Sequence, residues 1–152
     1  MEHANFAFAT SSGMAATVTL MNTLQNGDHI LCVDDVYGGT QRYLRRILGP
    51  NANIELSFND FSDIGAFKKM LQPNTKMVWL ETPTNPTLKI FDIEKIAKCC
   101  KEHGALFVVD NTFMTSVNQN PLLLGADVVM HSLTKYVGGH SDLIAGAICL
   151  ND

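Results

Sequence analysis

Asp127-Val-Val-Met-His-Ser-Leu-Thr-Lys-Tyr-Val-Gly-Gly-His140 is the stretch from which the fold can be read. It opens on a short apolar run, Val128-Val129-Met130, suited to a buried strand. It closes on Gly138-Gly139, which marks a turn. From Lys135 to the next apolar run at Leu143 the connection is short and Gly-rich. A parallel crossover takes about a dozen residues or more. The run Leu143 to Leu150 is therefore expected as a strand antiparallel to the one before it.

Between the strand and the glycines lie Ser132, Thr134 and Lys135. Lysine gives up its proton most readily where it is desolvated or near another cation. A lone lysine just past a buried strand has few solvated neighbours, which makes Lys135 a candidate Schiff-base lysine. Ser132 and Thr134 offer hydroxyls suited to a phosphate. On this stretch alone, a solvated loop lysine is the commoner explanation.

Working outward, strand and helix patterns alternate. Strands are expected over Phe6–Thr10, His29–Val33, Ile54–Phe58, Lys76–Leu80, Ala105–Val109 and Val128–His131. Helices are expected over Met14–Leu24, closed by Gly27, and over Gln41–Leu48, stopped by Gly49-Pro50. A third, capped by Asp60 or Ser62, runs to about Leu71, and a fourth runs from Asp92 through Glu102 to Gly104. Asn120-Pro121 opens a short helical turn before Gly125. Seven strands with intervening helices predict an α/β fold of three layers, α/β/α, around a seven-stranded, mixed, mainly parallel sheet whose last strand is antiparallel.

The bulk properties exclude several classes. At 152 residues the chain is one domain's worth, and 46% hydrophobic residues place it in the globular range. A net charge of -4 offers no basic face for nucleic acid, so no nucleic-acid partner is expected. Arg42, Arg45 and Arg46 read as the solvated face of a helix. No apolar run approaches a membrane span, and the first residues lack a signal-peptide pattern, so a cytoplasmic, non-membrane protein is expected. Cys32, Cys99, Cys100 and Cys149 have no zinc-ligand spacing and read as reduced thiols; no metal is expected.

In an open α/β sheet, ligands bind beyond the carboxyl ends of the strands. After the first strand come Ser11-Ser12-Gly13-Met14, an anion cradle in form, with a glycine and a helix N-terminus. After the second comes Tyr37, beside Gly38-Gly39, an aromatic face able to stack on a planar ring. Asn85 follows the fourth, in a loop stiffened by Pro83 and Pro86. Asp110 ends the fifth, a carboxylate that needs a cation or a turn hydrogen bond from Asn111 or Thr112. Singly, each has an ordinary explanation as a turn or rim residue. Together they form an anion cradle, an aromatic face, an amide, a carboxylate and a lysine at one sheet edge, which is the set pyridoxal 5'-phosphate (PLP) requires. A generic nucleotide-binding domain would need a Gly-x-Gly-x-x-Gly or Walker-type loop, and Ser11-Ser-Gly-Met14 is neither.

Five motifs occur in order: Ser11-Ser-Gly-Met14, Asp34-Asp-Val-Tyr-Gly-Gly39, Glu81-Thr-Pro-Thr-Asn-Pro86, Val108-Val-Asp-Asn-Thr112 and Ser132-Leu-Thr-Lys-Tyr-Val-Gly-Gly-His140. With them the chain resembles the Cys/Met-metabolism PLP-dependent enzymes, on the cystathionine gamma-lyase side of that family. The resemblance implies the large domain of the fold type I PLP enzymes over residues 1–152, with an N-terminal arm and a C-terminal small domain lying outside it. It implies that Lys135 holds PLP covalently and moves protons, that Asp110 pairs with the pyridine nitrogen, and that Tyr37 stacks on the ring and assists proton transfer. Gly13 and Met14 would offer N–H groups, and Ser132 and Thr134 hydroxyls, to the phosphate. Asn85 would sit near the ring's phenolic oxygen and the substrate carboxylate.

The implied reaction is gamma-elimination of L-cystathionine to cysteine, 2-oxobutanoate and ammonia, with some relatives releasing hydrogen sulfide. The implied partners are a sulfur amino acid substrate and further copies of the chain, as a tetramer built from dimers. Tyr37-Gly38-Gly39 favours this branch, because methionine gamma-lyases resemble it but tend to carry cysteine after the Tyr-Gly. A gamma-synthase or beta-lyase is also compatible. In the family, a Tyr and an Arg of the arm and an Arg of the small domain contact phosphate and substrate. Without them, the chain by itself is expected to fold or bind PLP and to catalyse little.

Overall fold

The computed structural model describes residues 2–152. Seven strands form one sheet in the order β1-β7-β6-β5-β4-β2-β3. They are β1 (Phe6–Thr10), β2 (His29–Val33), β3 (Glu55–Asn59), β4 (Thr75–Glu81), β5 (Leu106–Asp110), β6 (Val128–Ser132) and β7 (Gly146–Leu150). The run β6-β5-β4-β2-β3 is parallel throughout. β7 is antiparallel to both neighbours, β6 and β1, as the short loop after Lys135 requires. The carboxyl ends of β1, β2, β4, β5 and β6 therefore lie at one edge.

Burial follows from topology. All five residues of β2 are buried, and all of β4 except Lys76, because the interior parallel strands are covered on both faces. Trp79, Phe107, Ile30, Leu31 and Leu80 are fully buried there. β1 is an edge strand exposed along nearly its whole length.

Helix α1 (Gly13–Met21) starts where Ser12 Oγ accepts from Ala15 N–H at 3.0 Å, and it buries Ala16, Thr17, Leu20 and Met21. Its last residue is Met21, three residues short of the expected end at Leu24, and Gly27 instead serves a later turn at φ 86°. Next come α2 (Gly38–Tyr43), a π-helical turn over Leu44–Leu48, and α3 (Gly49–Ala52). Gly49-Pro50 thus fails to stop the helical path. Proline is tolerated in the first turn of a helix, and the left-handed Asn53 ends the segment. Arg42, Arg45 and Arg46 are exposed on this path, with the Arg45 guanidinium over the Phe58 ring at 4.1 Å.

Helix α4 (Ile64–Met70) is capped by Asp63 rather than Asp60 or Ser62. Asp60 is taken by an ion pair to Lys89 at 2.7 Å. Helix α5 (Ile93–His103) is amphipathic as expected, capped by Asp92 and ended by Gly104 at φ 82°. A short α6 (Thr115–Asn118) and a 3-10 turn (Pro121–Leu124) lead into β6. Among the described residues no helix is long and apolar enough to cross a membrane, and no cluster of metal-ligating side chains occurs. All four cysteines are free.

Candidate active site

A cleft of about 260 Å³ opens beyond the carboxyl ends of β1, β2, β4, β5 and β6. Every residue singled out from the sequence lines it: Gly13, Met14, Tyr37, Asn85, Asp110, Ser132, Thr134 and Lys135. Their local settings are unequal.

Gly13 has to be glycine. A Cβ there would lie 2.6 Å from the Ser132 Cβ, so the first turn of α1 packs directly onto the end of β6. Ser12 accepts from the Ala15 N–H through its side chain and from Ala16 N–H through its carbonyl. That leaves the Gly13 and Met14 N–H groups, which have no helical partner at these positions, open toward the cleft. Behind the turn, a Cβ at Gly146 of β7 would meet the Ser12 carbonyl at 2.3 Å.

The Tyr37 ring is half-exposed and lies back over Gly39, where a Cβ would come within 2.4 Å of its Cε1 and 3.1 Å of Met14 Sδ. Asn85 sits in a loop tied to the β2 side by Thr84, whose hydroxyl donates to Asp35 Oδ2 at 2.5 Å. Thr82-Pro83 and Asn85-Pro86 are both cis. The hydroxyl of Thr134 is engaged, donating to Ala145 O at 3.2 Å and accepting from Ala145 N–H at 3.1 Å, which closes the loop around Lys135.

Asp110 is buried, and its Oδ1 accepts from Thr112 N–H at 3.0 Å and Thr112 Oγ1–H at 2.5 Å. Thr112 Oγ1 in turn accepts from Ser132 N–H at 2.9 Å, linking β5 to β6. The turn hydrogen bond and the cleft-facing carboxylate are thus the same group. Burial raises its pKa, against the two Thr112 bonds and His131.

One residue lay outside the sequence reading. Glu81 ends β4 directly opposite Asp110 in the parallel register and is also buried. Its Oε2 accepts from the Tyr37 N–H at 2.9 Å. Burial and then the Asp110 charge raise it to about 8, against hydrogen bonding from the Tyr37 and Asn85 backbone. Its signal was an acid ending the apolar run Val78-Trp79-Leu80, as Asp110 ends its own.

Lys135 departs from expectation in one respect. It is exposed rather than desolvated. Among the described residues its ammonium makes no ion pair or hydrogen bond. No arginine lines the cleft.

The donor set fits PLP. Two buried carboxyls face a cleft whose lining offers one cation, an exposed lysine. A protonated ring nitrogen would supply the charge Asp110 lacks, and the α1 turn has open N–H groups for an anion.

The family model described as Cys/Met metabolism PLP-dependent enzyme matches residues 1–152. A putative cystathionine gamma-lyase 2 of Caenorhabditis elegans is 50% identical over 97% of this chain and 38% of its own length. A probable cystathionine gamma-synthase of Herpetosiphon aurantiacus is 48% identical over 97% of this chain and 46% of its own. The crystal structure of metB from Corynebacterium glutamicum superposes with a TM-score of 0.97 at 46% identity, covering 99% of this chain and 39% of that one. The chain thus spans well under half the length of the relatives it matches. Their names divide among gamma-lyase, gamma-synthase and beta-lyase.

Proposed function

Starting from the fact that the chain belongs to the Cys/Met metabolism PLP-dependent enzyme family, we propose that it is the PLP-holding large domain of a carbon–sulfur lyase acting by gamma-elimination on L-cystathionine. The observation that carries this reading is the meeting of Asp110 and Lys135 in one cleft from adjacent strands. When bound, PLP supplies the electron sink for charge developing at the substrate's alpha carbon.

The chain's own residues take the remaining work. Lys135 Nζ, free of any protein partner, holds the cofactor and carries protons at the substrate's alpha and beta carbons. Asp110, fixed by Thr112, keeps the ring nitrogen protonated. Gly13 and Met14 N–H groups and the Ser132 hydroxyl hold the phosphate, and Thr134 joins them by giving up its bonds to Ala145. Tyr37 covers the ring, and Asn85 orients its phenolic oxygen. The gamma-lyase assignment over a methionine-directed relative is supported by Gly39, since any side chain there would push the Tyr37 ring out of its place. The acting form is a cytoplasmic tetramer, built from dimers, of a longer chain. A substrate carboxylate needs a cation beyond Lys135, and no arginine lines the cleft, so these 152 residues alone turn over little.

The test is to add PLP to the 152-residue chain, follow imine absorbance and trap the adduct with borohydride. We expect a trapped adduct that Lys135→Ala loses entirely. If both chains behave alike, the cofactor reading fails. Turnover of cystathionine by the isolated chain would sink the claim that a further cation is needed.

A further inference from the structure

Glu81 stands outside the roles assigned above, yet its surroundings are specific. It is buried at 5% exposure, while Tyr37, whose N–H it accepts at 2.9 Å, is 47% exposed. A backbone N–H on an exposed residue at the start of a helix has no helical partner and normally faces water. Here a buried carboxyl reaches from β4 to hold it. Asn85, which lines the same cleft, lies four residues further along the chain from Glu81. Tyr37 and Asn85 belong to loops following different, adjacent strands, β2 and β4. Their side chains are the aromatic face and the amide of the cleft.

We propose that Glu81 is a positioning residue that ties the Tyr37 loop to the end of β4 through the Tyr37 N–H, and so sets where a planar ring is held over Asp110. This rests on the PLP reading for the identity of the ring; the tie itself is a property of the chain alone. The charged groups facing Glu81 are Asp110 on β5 and Asp35 in the loop after β2. Both are acidic, so what Glu81 contributes to its partners is an acceptor atom and not a counter-charge.

That distinction gives the experiment. In the full 152-residue chain, Glu81→Gln keeps an acceptor oxygen, whereas Glu81→Leu fills similar space without one; Glu81→Met serves if the leucine variant does not fold. Without cofactor, amide hydrogen exchange at Tyr37 should accelerate roughly tenfold or more in the Leu or Met variant, and stay near wild type in Gln. With PLP added, the same variant should lose the induced circular dichroism of the bound ring and bind roughly tenfold more weakly. Glu81→Gln should restore both. Unchanged Tyr37 exchange in the Leu or Met variant would overturn the proposal, as would equal losses in Gln and Leu. If the wild-type chain binds no PLP, the cofactor reading fails, and the exchange arm still decides the role of Glu81.

Discussion

At the amino-terminal end of the sheet, the buried His29 Nδ1 shares a hydrogen bond with the Thr75 hydroxyl at 2.8 Å, and that hydroxyl accepts from Gln72 N–H at 2.8 Å. His103 Nε2 bonds Gln72 O at 2.9 Å, Asn74 donates to Gly27 O at 2.9 Å, and Asp127 accepts from Phe107 N–H at 2.7 Å. At the carboxyl end, on the same strands, Glu81 and Asp110 lie side by side with no cation bonded to either among the described residues. One end of the sheet completes its own hydrogen bonds. The other keeps two buried acids and an unpaired lysine around an open cleft. Both ends carry polar residues, so polarity alone does not mark a site. What marks it is buried acids with hydrogen bonds but no cation, beside a lysine with no partner among the described residues.

Three experiments press on that contrast. The largest effect is expected from Asp110→Asn. Removing one member of a buried charge pair should weaken PLP binding by roughly a hundredfold or more, read by titration, while the cofactor-free chain melts no lower. Unchanged affinity would mean that the buried acid is not waiting for a cation. At the closed end, Thr75→Val leaves His29 Nδ1 and Gln72 N–H unpaired and should cost about 1–3 kcal/mol in urea unfolding, with PLP affinity unaffected. A neutral outcome would show that this end does not depend on its own network.

The smallest effect is in pH dependence, and here the ends should respond in opposite directions. Glu81 is raised to about 8, so the folded chain holds a proton that the unfolded chain releases earlier. Its contribution is complete below the ordinary carboxylate range and is lost as pH climbs toward 8. Burial lowers His29, against Glu55, so the folded chain favours the neutral ring. Its contribution is present above the usual histidine value and is lost as pH falls below it. In melting measured against pH, Glu81→Gln should flatten the alkaline limb and His29→Gln the acid limb. If either variant flattens the other limb, the assignment of the two ends is wrong.

How legible this was depended on the range of the interactions. The strands and their order of appearance could be read because each is a short apolar run, and the reversed β7 followed from a connection too short for a crossover. Asp110 was legible because it directly follows such a run, and Lys135 because it lies in the loop a few residues past one. Glu81 was missed by one residue: placed first in the Glu81–Pro86 loop, it is in fact the last residue of β4, paired with Asp110. Asp60 looked like a cap and became a partner of Lys89 through a contact that no local pattern announces. Gly49-Pro50 looked like a stop because both residues are helix breakers, but a proline in a first turn loses nothing. The exposure of Lys135 depends on how the turns between β6 and β7 sit on the rest of the fold, which is a tertiary matter.

The pairing of β1 with β7 bears on how the molecule is made. β1 has no other strand neighbour, and Thr10 faces Gly146 across the pair. On the ribosome, Phe6–Thr10 emerges before every other strand of this sheet and must wait for β7, the last of them in sequence, before its partner exists. Phe6 and Phe8 stay more than half exposed even when folding is finished. The turn between β1 and α1 is therefore the first of the cleft's segments to be made, and the strand leading into it is the last in the sheet to find its partner.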